Sequence, residues 1–148
     1  MKKTILIGLV LFLGVCSSVF SQTKSNNLEG IWQYCEEVKK PDGEKVLACS
    51  PIWKILYSDG KFVQFMLMYK DGTCAMTHNG TYEVNSENVY TEHITQHAVD
   101  KELIGTHTKL NYQFVNDDMV KFSFKLEGRK DEFREIWKRV KLYVPPTK

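Results

Sequence analysis

The chain has no apolar run of the roughly 20 residues that a membrane-spanning helix requires; its longest, TILIGLVLFLGV, has about a dozen. It also has no surplus of charge. The formal net charge of +2 is carried by Lys2 and Lys3, so the side chains after them sum to zero, which argues against nucleic acid or an anionic membrane as a partner. The basic stretch RKDEFREIWKRVK, residues 129–141, is interrupted by Asp131, Glu132 and Glu135 and reads as a solvated strand face. No G-x-S-x-G elbow, P-loop or dinucleotide-type glycine pattern is present. Helix signals are scarce, and there is no internal repeat, low-complexity tract or linker.

What is present begins with an export signal. MKK, the apolar run, and Val19-Phe20-Ser21 before Gln22 are the three parts of a secretory signal peptide, so residues 1–21 are expected to be removed and 22–148 to form the mature domain. That remainder suits one domain. The expected location is the periplasm or the extracellular space. A rival reading takes Leu13-Gly14-Val15-Cys16 as a lipidation site, against which stands the branched Val15 where the peptidase wants a small side chain.

Cysteine is sparse, four in all, and Cys16 leaves with the signal. In an oxidising compartment Cys35, Cys49 and Cys74 allow one disulfide and one free thiol. Pro41-Asp42-Gly43 lies midway between Cys35 and Cys49, and a hairpin turning there would set those two opposite each other. Cys74 is then left as a buried free thiol.

Short segments rich in β-branched and aromatic residues recur between Asp-Gly, Asn-Gly and Asn-Asp punctuation. Strands are expected near residues 29–38, 46–57 with a break at Pro51, 61–69, 73–77, 80–84, 88–95, 106–115, 119–127 and 132–141. Turns are expected at 41–43, 58–60, 70–72, 78–80, 85–87 and 116–118, with a helical turn or long loop over 96–105. The clearest alternation puts Val120, Phe122, Phe124 and Leu126 on one face and Lys121, Ser123 and Lys125 on the other. FVQFMLMY, residues 62–69, is apolar on both faces and its parity stays open.

Hairpin-length connections make sequence neighbours antiparallel neighbours in space, giving an up-and-down meander. A sheet of eight or nine such strands exposes long edges unless it closes, so an all-β antiparallel barrel is expected, with a two-sheet sandwich as the alternative. Aromatic residues then fall inside: Tyr34, Phe65, Tyr82, Tyr112, Phe122, Phe124 and Trp137 are the candidate ligand-lining set, with Tyr34, Gln64 or Tyr112 orienting a ligand and Met66 and Met68 adapting to it. The same residues are also what a filled core contains, and both readings stand.

The mature chain opens with Gly30-Ile31-Trp32, where a glycine permits close approach and a tryptophan two residues on shares its strand face. It closes with Glu135-Ile136-Trp137-Lys138-Arg139-Val140. These motifs resemble the G-x-W start and the basic last strand of lipocalins and the wider calycin group, and more narrowly the small secreted lipocalin-like families of unknown function from Gram-negative gut bacteria. The resemblance spans about the whole mature region and implies an eight-stranded barrel with Arg139 packed across Trp32. The chain departs from the lipocalins in having no T-D-Y loop signature and in its expected Cys35 to Cys49 bridge.

Glu92-His93-Ile94-Thr95-Gln96-His97 is the strongest metal-like cluster, since histidines four apart share a metal on a helix. On a strand the same spacing is about 13 Å, too far for two bonds of about 2 Å each to one ion, unless His107 approaches from a neighbour. No metal and no cofactor are therefore expected. Asn79-Gly80-Thr81 matches a glycosylation triplet but reads as an Asn-Gly turn. The function expected is non-covalent binding of a small, largely apolar ligand in the barrel, without catalysis. The alternative is an envelope module with a filled barrel that binds a protein or glycan, and a hydrolase or metal enzyme using His93, His97 or His107 ranks third.

Overall fold

The computed structural model describes residues 27–68 and 70–145. The expected signal peptide lies outside the described residues. Eight strands follow in order: β1 (Gly30–Lys39), β2 (Lys45–Leu56), β3 (Lys61–Leu67), β4 (Cys74–Ser86), β5 (Val89–His97), β6 (His107–Asn116), β7 (Met119–Lys125) and β8 (Glu132–Arg139). Each pairs antiparallel with the next, and β8 returns to β1, so the sheet is a closed up-and-down barrel. Closure removes both sheet edges, as the strand count required.

Three local expectations change. The Asn79-Gly80 pair lies inside β4 rather than in a turn, and the strands expected at 73–77 and 80–84 are one. Glycine is needed at 80 for close approach: a Cβ there would sit 1.8 Å from the His93 carbonyl oxygen and 3.2 Å from the Phe62 ring. Pro51 does not end β2. It falls where the β1–β2 ladder skips, between the Gln33–Trp53 and Cys35–Cys49 pairs, so its missing N–H costs no regular ladder bond. Cys74 is exposed rather than buried. In the 96–105 segment, the helical turn is a short 3-10 piece, Lys101–Leu103, capped by the Asp100 carboxylate accepting from the Glu102 N–H.

Cys35 and Cys49 form the disulfide across the first hairpin. The core fills the barrel end at which β1 begins and β8 finishes. There Trp32, Leu56, Phe62, Tyr90, Tyr112, Val120, Phe122 and Trp137 are buried, with Leu28 beneath them. The Trp32 indole N–H donates to the Leu28 carbonyl at 2.7 Å. Arg139 caps this end, its guanidinium 4.1 Å from the Trp32 ring centroid, donating to the carbonyls of Asn27, Glu29 and Asp117 at 2.7, 2.6 and 3.1 Å. A cation over an indole face, with its N–H groups occupied by backbone oxygens, ties the two chain ends and the β6–β7 turn into one seal.

Gly30 makes that seal possible. Its φ of +131° disfavours any side chain, and a Cβ would lie 2.7 Å from Arg139 Nη1. Gly30→Ala is expected to destabilise the protein by about 3 kcal/mol, through backbone strain plus displacement of the guanidinium, read as a lower urea midpoint with unchanged slope.

Candidate functional site

Three strands carry a charge between two inward-facing apolar residues: Ile52-Lys54-Leu56 on β2, Tyr90-Glu92-Ile94 on β5 and Phe133-Glu135-Trp137 on β8. Alternation turns all three charges into the lumen. Lys54 and Glu92 are only 3% and 4% exposed, and Lys54 Nζ donates to Glu92 Oε1 at 2.6 Å. Because β2 and β5 are not neighbours in the sheet, this bond crosses the barrel interior. The ammonium also lies 5.5 and 5.3 Å from the ring centroids of Phe62 and Trp137, and the Tyr90 hydroxyl donates to the same carboxylate oxygen at 2.8 Å.

Burial pushes the Glu92 carboxyl up, yet the charge and hydrogen bond of Lys54, helped by Tyr90, outweigh it and the net direction is down. Tyr90 is held well above its ordinary value by burial and by Glu92. Glu135 differs. Burial raises its carboxyl, Lys54 and the Trp137 N–H at 2.8 Å pull the other way, and the Glu92 charge adds to the rise. A buried ion pair contributes little net stability against an apolar replacement, so its desolvation cost is better understood as shaping what lies beside it.

What lies beside it is a cavity of about 220 Å³ towards the end of the barrel that carries the 3-10 turn. Its apolar wall includes Ile94, Leu103, Leu110, Phe124 and Phe133, and its polar groups include Lys54, Gln64, His78, Glu92, His97 and Glu135. Phe124 and Phe133 stack with centroids 5.4 Å apart at 18°. At about 30 Å³ per water, the space equals roughly seven waters.

Two bulges build this end. Between the Asn79–Gln96 and Gly80–Ile94 pairs Thr95 is an extra residue on β5, which shifts the alternation by one and turns His97 to the cavity. Thr77 is the extra residue on β4 opposite β3. His97 Nδ1 accepts from the N–H groups of Val99 and Asp100 at 3.3 and 2.8 Å, which leaves the ring proton on Nε2. The Thr77 hydroxyl donates to the Gln64 carbonyl at 3.1 Å and lies 3.3 Å from His78 Nδ1, so that nitrogen donates to it and His78 Nε2 is an acceptor. The two rings stack at 5.1 Å and 15°. Burial, reinforced by the Lys54 charge, lowers His78 to about 4, so it is neutral at physiological pH.

A larger depression of about 810 Å³ lies across β6, β7, β8 and β1, bordered by Asn111, Gln113, Lys121 and Arg134 and also by Tyr34, Tyr112, Phe122 and Glu135. It is open to solvent and lined as much by polar as by apolar atoms, whereas a small-molecule site buries most of its ligand. The interior cavity is therefore the candidate site.

The family model for a domain of unknown function, DUF4488, matches residues 27–146, the whole described barrel. The chain belongs to the DUF4488 family. Among curated proteins, none matches the chain.

Within this DUF4488 barrel the aromatic residues named from sequence fall in five places. Phe124 borders the cavity, while Tyr112, Phe122 and Trp137 are buried in the core. Tyr34 stands edge-on to Trp137 at 5.5 Å and donates to Glu36 at 2.8 Å; burial and Glu36 raise its hydroxyl to about 12. Tyr82 packs on Tyr90 at 6.2 Å and donates to the Tyr57 carbonyl at 2.8 Å. Phe65 lies on the outer face of β3, edge-on to Trp53 at 5.7 Å, because the inward positions of β3 are Phe62 and Gln64. His93 also faces outwards, its Nδ1 3.1 Å from His107 Nδ1, so the Thr95 bulge separates His93 and His97 onto opposite faces. The charged interior was missed. The signal for it was present, since I-x-K-x-L, Y-x-E-x-I and F-x-E-x-W each place a charge in phase with large apolar residues.

Two outcomes test this electrostatic arrangement. Lys54→Met is expected to cost about 3–5 kcal/mol by leaving the Glu92 carboxylate uncompensated, and adding Glu92→Gln to recover much of that, as measured by urea denaturation. The second concerns His78, whose depressed value means that the unfolded chain takes up a proton first as pH falls below the ordinary 6.5. Its contribution is whole above 6.5 and lost on descent to about 4, on the order of 2 kcal/mol after allowing for partial solvent access, and the stability difference between wild type and His78→Gln should vary across that window only.

Proposed function

We propose that the protein is an exported, non-catalytic carrier that holds one small molecule in the mouth of a lipocalin-like barrel. The observation that supports this most is the 220 Å³ cavity itself, which joins an apolar wall to a set of oriented polar groups above a sealed core. A filled barrel does not need stacked histidines and a cross-lumen ion pair beneath empty space. The ligand suited to it is small and amphipathic, with its apolar body along Leu110, Phe124 and Phe133 and its polar end near Gln64, His78 and Glu135. Lys54 is a poor nucleophile here because its ammonium is already bound to Glu92, which favours binding over covalent chemistry. The Cys35–Cys49 disulfide suits a periplasmic or extracellular location. The Gly30, Trp32 and Arg139 arrangement agrees with the lipocalin resemblance.

A second reading, an envelope module that docks to a protein or glycan, draws on a different feature. The outer faces of β1–β3 carry Ile31, Trp53, Ile55, Val63 and Phe65, and Trp53 Nε1 is the buried side-chain atom without a hydrogen-bond partner among the described residues. Native mass spectrometry of protein from its own host, with a fragment screen monitored by amide NMR, separates the two. The carrier is expected to retain an extra small mass or to show shifts at Ile94, Thr108 and Leu110 that Thr108→Phe abolishes. No retained mass and no fragment shifting these residues would overturn it in favour of the docking module.

A further inference from the structure

Resting on the carrier reading, we propose that the cavity selects a molecule bearing a protonated amine, with the Glu135 carboxylate as its counter-ion. The argument is an inventory of charge within the lumen. Five lining side chains are ionisable: Lys54, His78, Glu92, His97 and Glu135. Lys54 and Glu92 neutralise each other through a 2.6 Å contact. The ammonium also lies against the faces of Phe62 and Trp137, and its hydrogen bond is already given to Glu92. His97 uses Nδ1 to accept two backbone N–H groups, and His78 is held neutral by its surroundings.

Glu135 is left over. Its Oε2 accepts from the Trp137 indole at 2.8 Å, and among the described residues no cation forms an ion pair with it. It borders the cavity beside the stacked rings of Phe124 and Phe133. Two carboxyl groups against one ammonium leave Glu135 without a paired counter-charge in a poorly solvated space, where burial and Glu92 raise it and an entering cation would favour its ionised form. An ammonium entering here meets the carboxylate of Glu135, the acceptor nitrogen of His78 and aromatic faces suited to a cation. A carboxylate ligand would meet two like charges with no unengaged cation. A neutral alcohol would leave the Glu135 charge unpaired.

The test compares three probes of one shape, benzylamine, benzyl alcohol and benzoate, titrated by amide NMR at pH 7 into protein purified from cells expressing the whole chain. Benzylamine is expected to bind at least tenfold more tightly than benzyl alcohol, and benzoate not at all. Glu135→Gln, whose amide oxygen still accepts from Trp137, should lower the amine affinity at least tenfold and erase the amine's advantage over the alcohol. Should that variant not fold, the wild-type pH profile serves. Amine affinity should fall on acidification as Glu135 takes a proton, narrowing its margin over the alcohol. Equal or tighter binding of the alcohol or benzoate overturns the amine class while leaving the carrier intact. No binding by any of the three overturns the amine class as well, and the carrier reading falls only if the fragment screen is also empty.

Discussion

The ladder that closes the barrel is short, with register pairs running from Trp32–Arg139 to Cys35–Ile136, and it is reinforced at its end by one guanidinium. Arg139 lies over Trp32 and holds the carbonyls of Asn27, Glu29 and Asp117, so the first strand, the last strand and the turn between β6 and β7 share one anchor. An uncurled sheet of this length would present two bare edges. With the sheet closed, the inward positions of eight strands are forced into a narrow lumen, and everything said of the interior follows from that confinement.

Confinement explains why the charged residues matter more than the aromatic ones. The lower lumen is packed with Trp32, Phe62, Tyr90, Tyr112, Phe122 and Trp137. Lys54 and Glu92 span the barrel above them, and the space begins where that pair ends. The ion pair therefore acts as a floor. It separates a part of the molecule devoted to stability from a part whose polar groups are still directed at an opening, and the contrast between the engaged Lys54 and the under-engaged Glu135 gives that opening its electrostatic character.

The architecture was legible in sequence because its signals are local: turn residues between β-rich segments, the alternation of Val120, Phe122 and Phe124, and the Pro41-Asp42-Gly43 turn that aligns Cys35 with Cys49. Features that depend on a partner strand were not. Asn79-Gly80 has the composition of a turn, yet the glycine serves the His93 carbonyl of β5, a neighbour that no local pattern reveals. Phe65 was grouped with the interior because both faces of 62–69 are apolar, and only its pairing with Trp53 settles the face. Lys54, Glu92 and Glu135 were passed over for a similar reason: an isolated charge in a strand reads as solvent-facing until the phase of its apolar neighbours is taken seriously.

Thr95 shows how little chain length separates one lumen from another. It contributes one residue too many to β5, and the registers on either side, Asn79–Gln96 and Gly80–Ile94, are otherwise regular. One residue inserted into β4 opposite it would restore continuous pairing while exchanging the inward and outward roles of Gln96 and His97. The mouth would then trade an imidazole for an amide with no substitution anywhere. Related barrels that differ by a single codon at this point would thus present different chemistry to the same space, a route to divergence by indel rather than by point change.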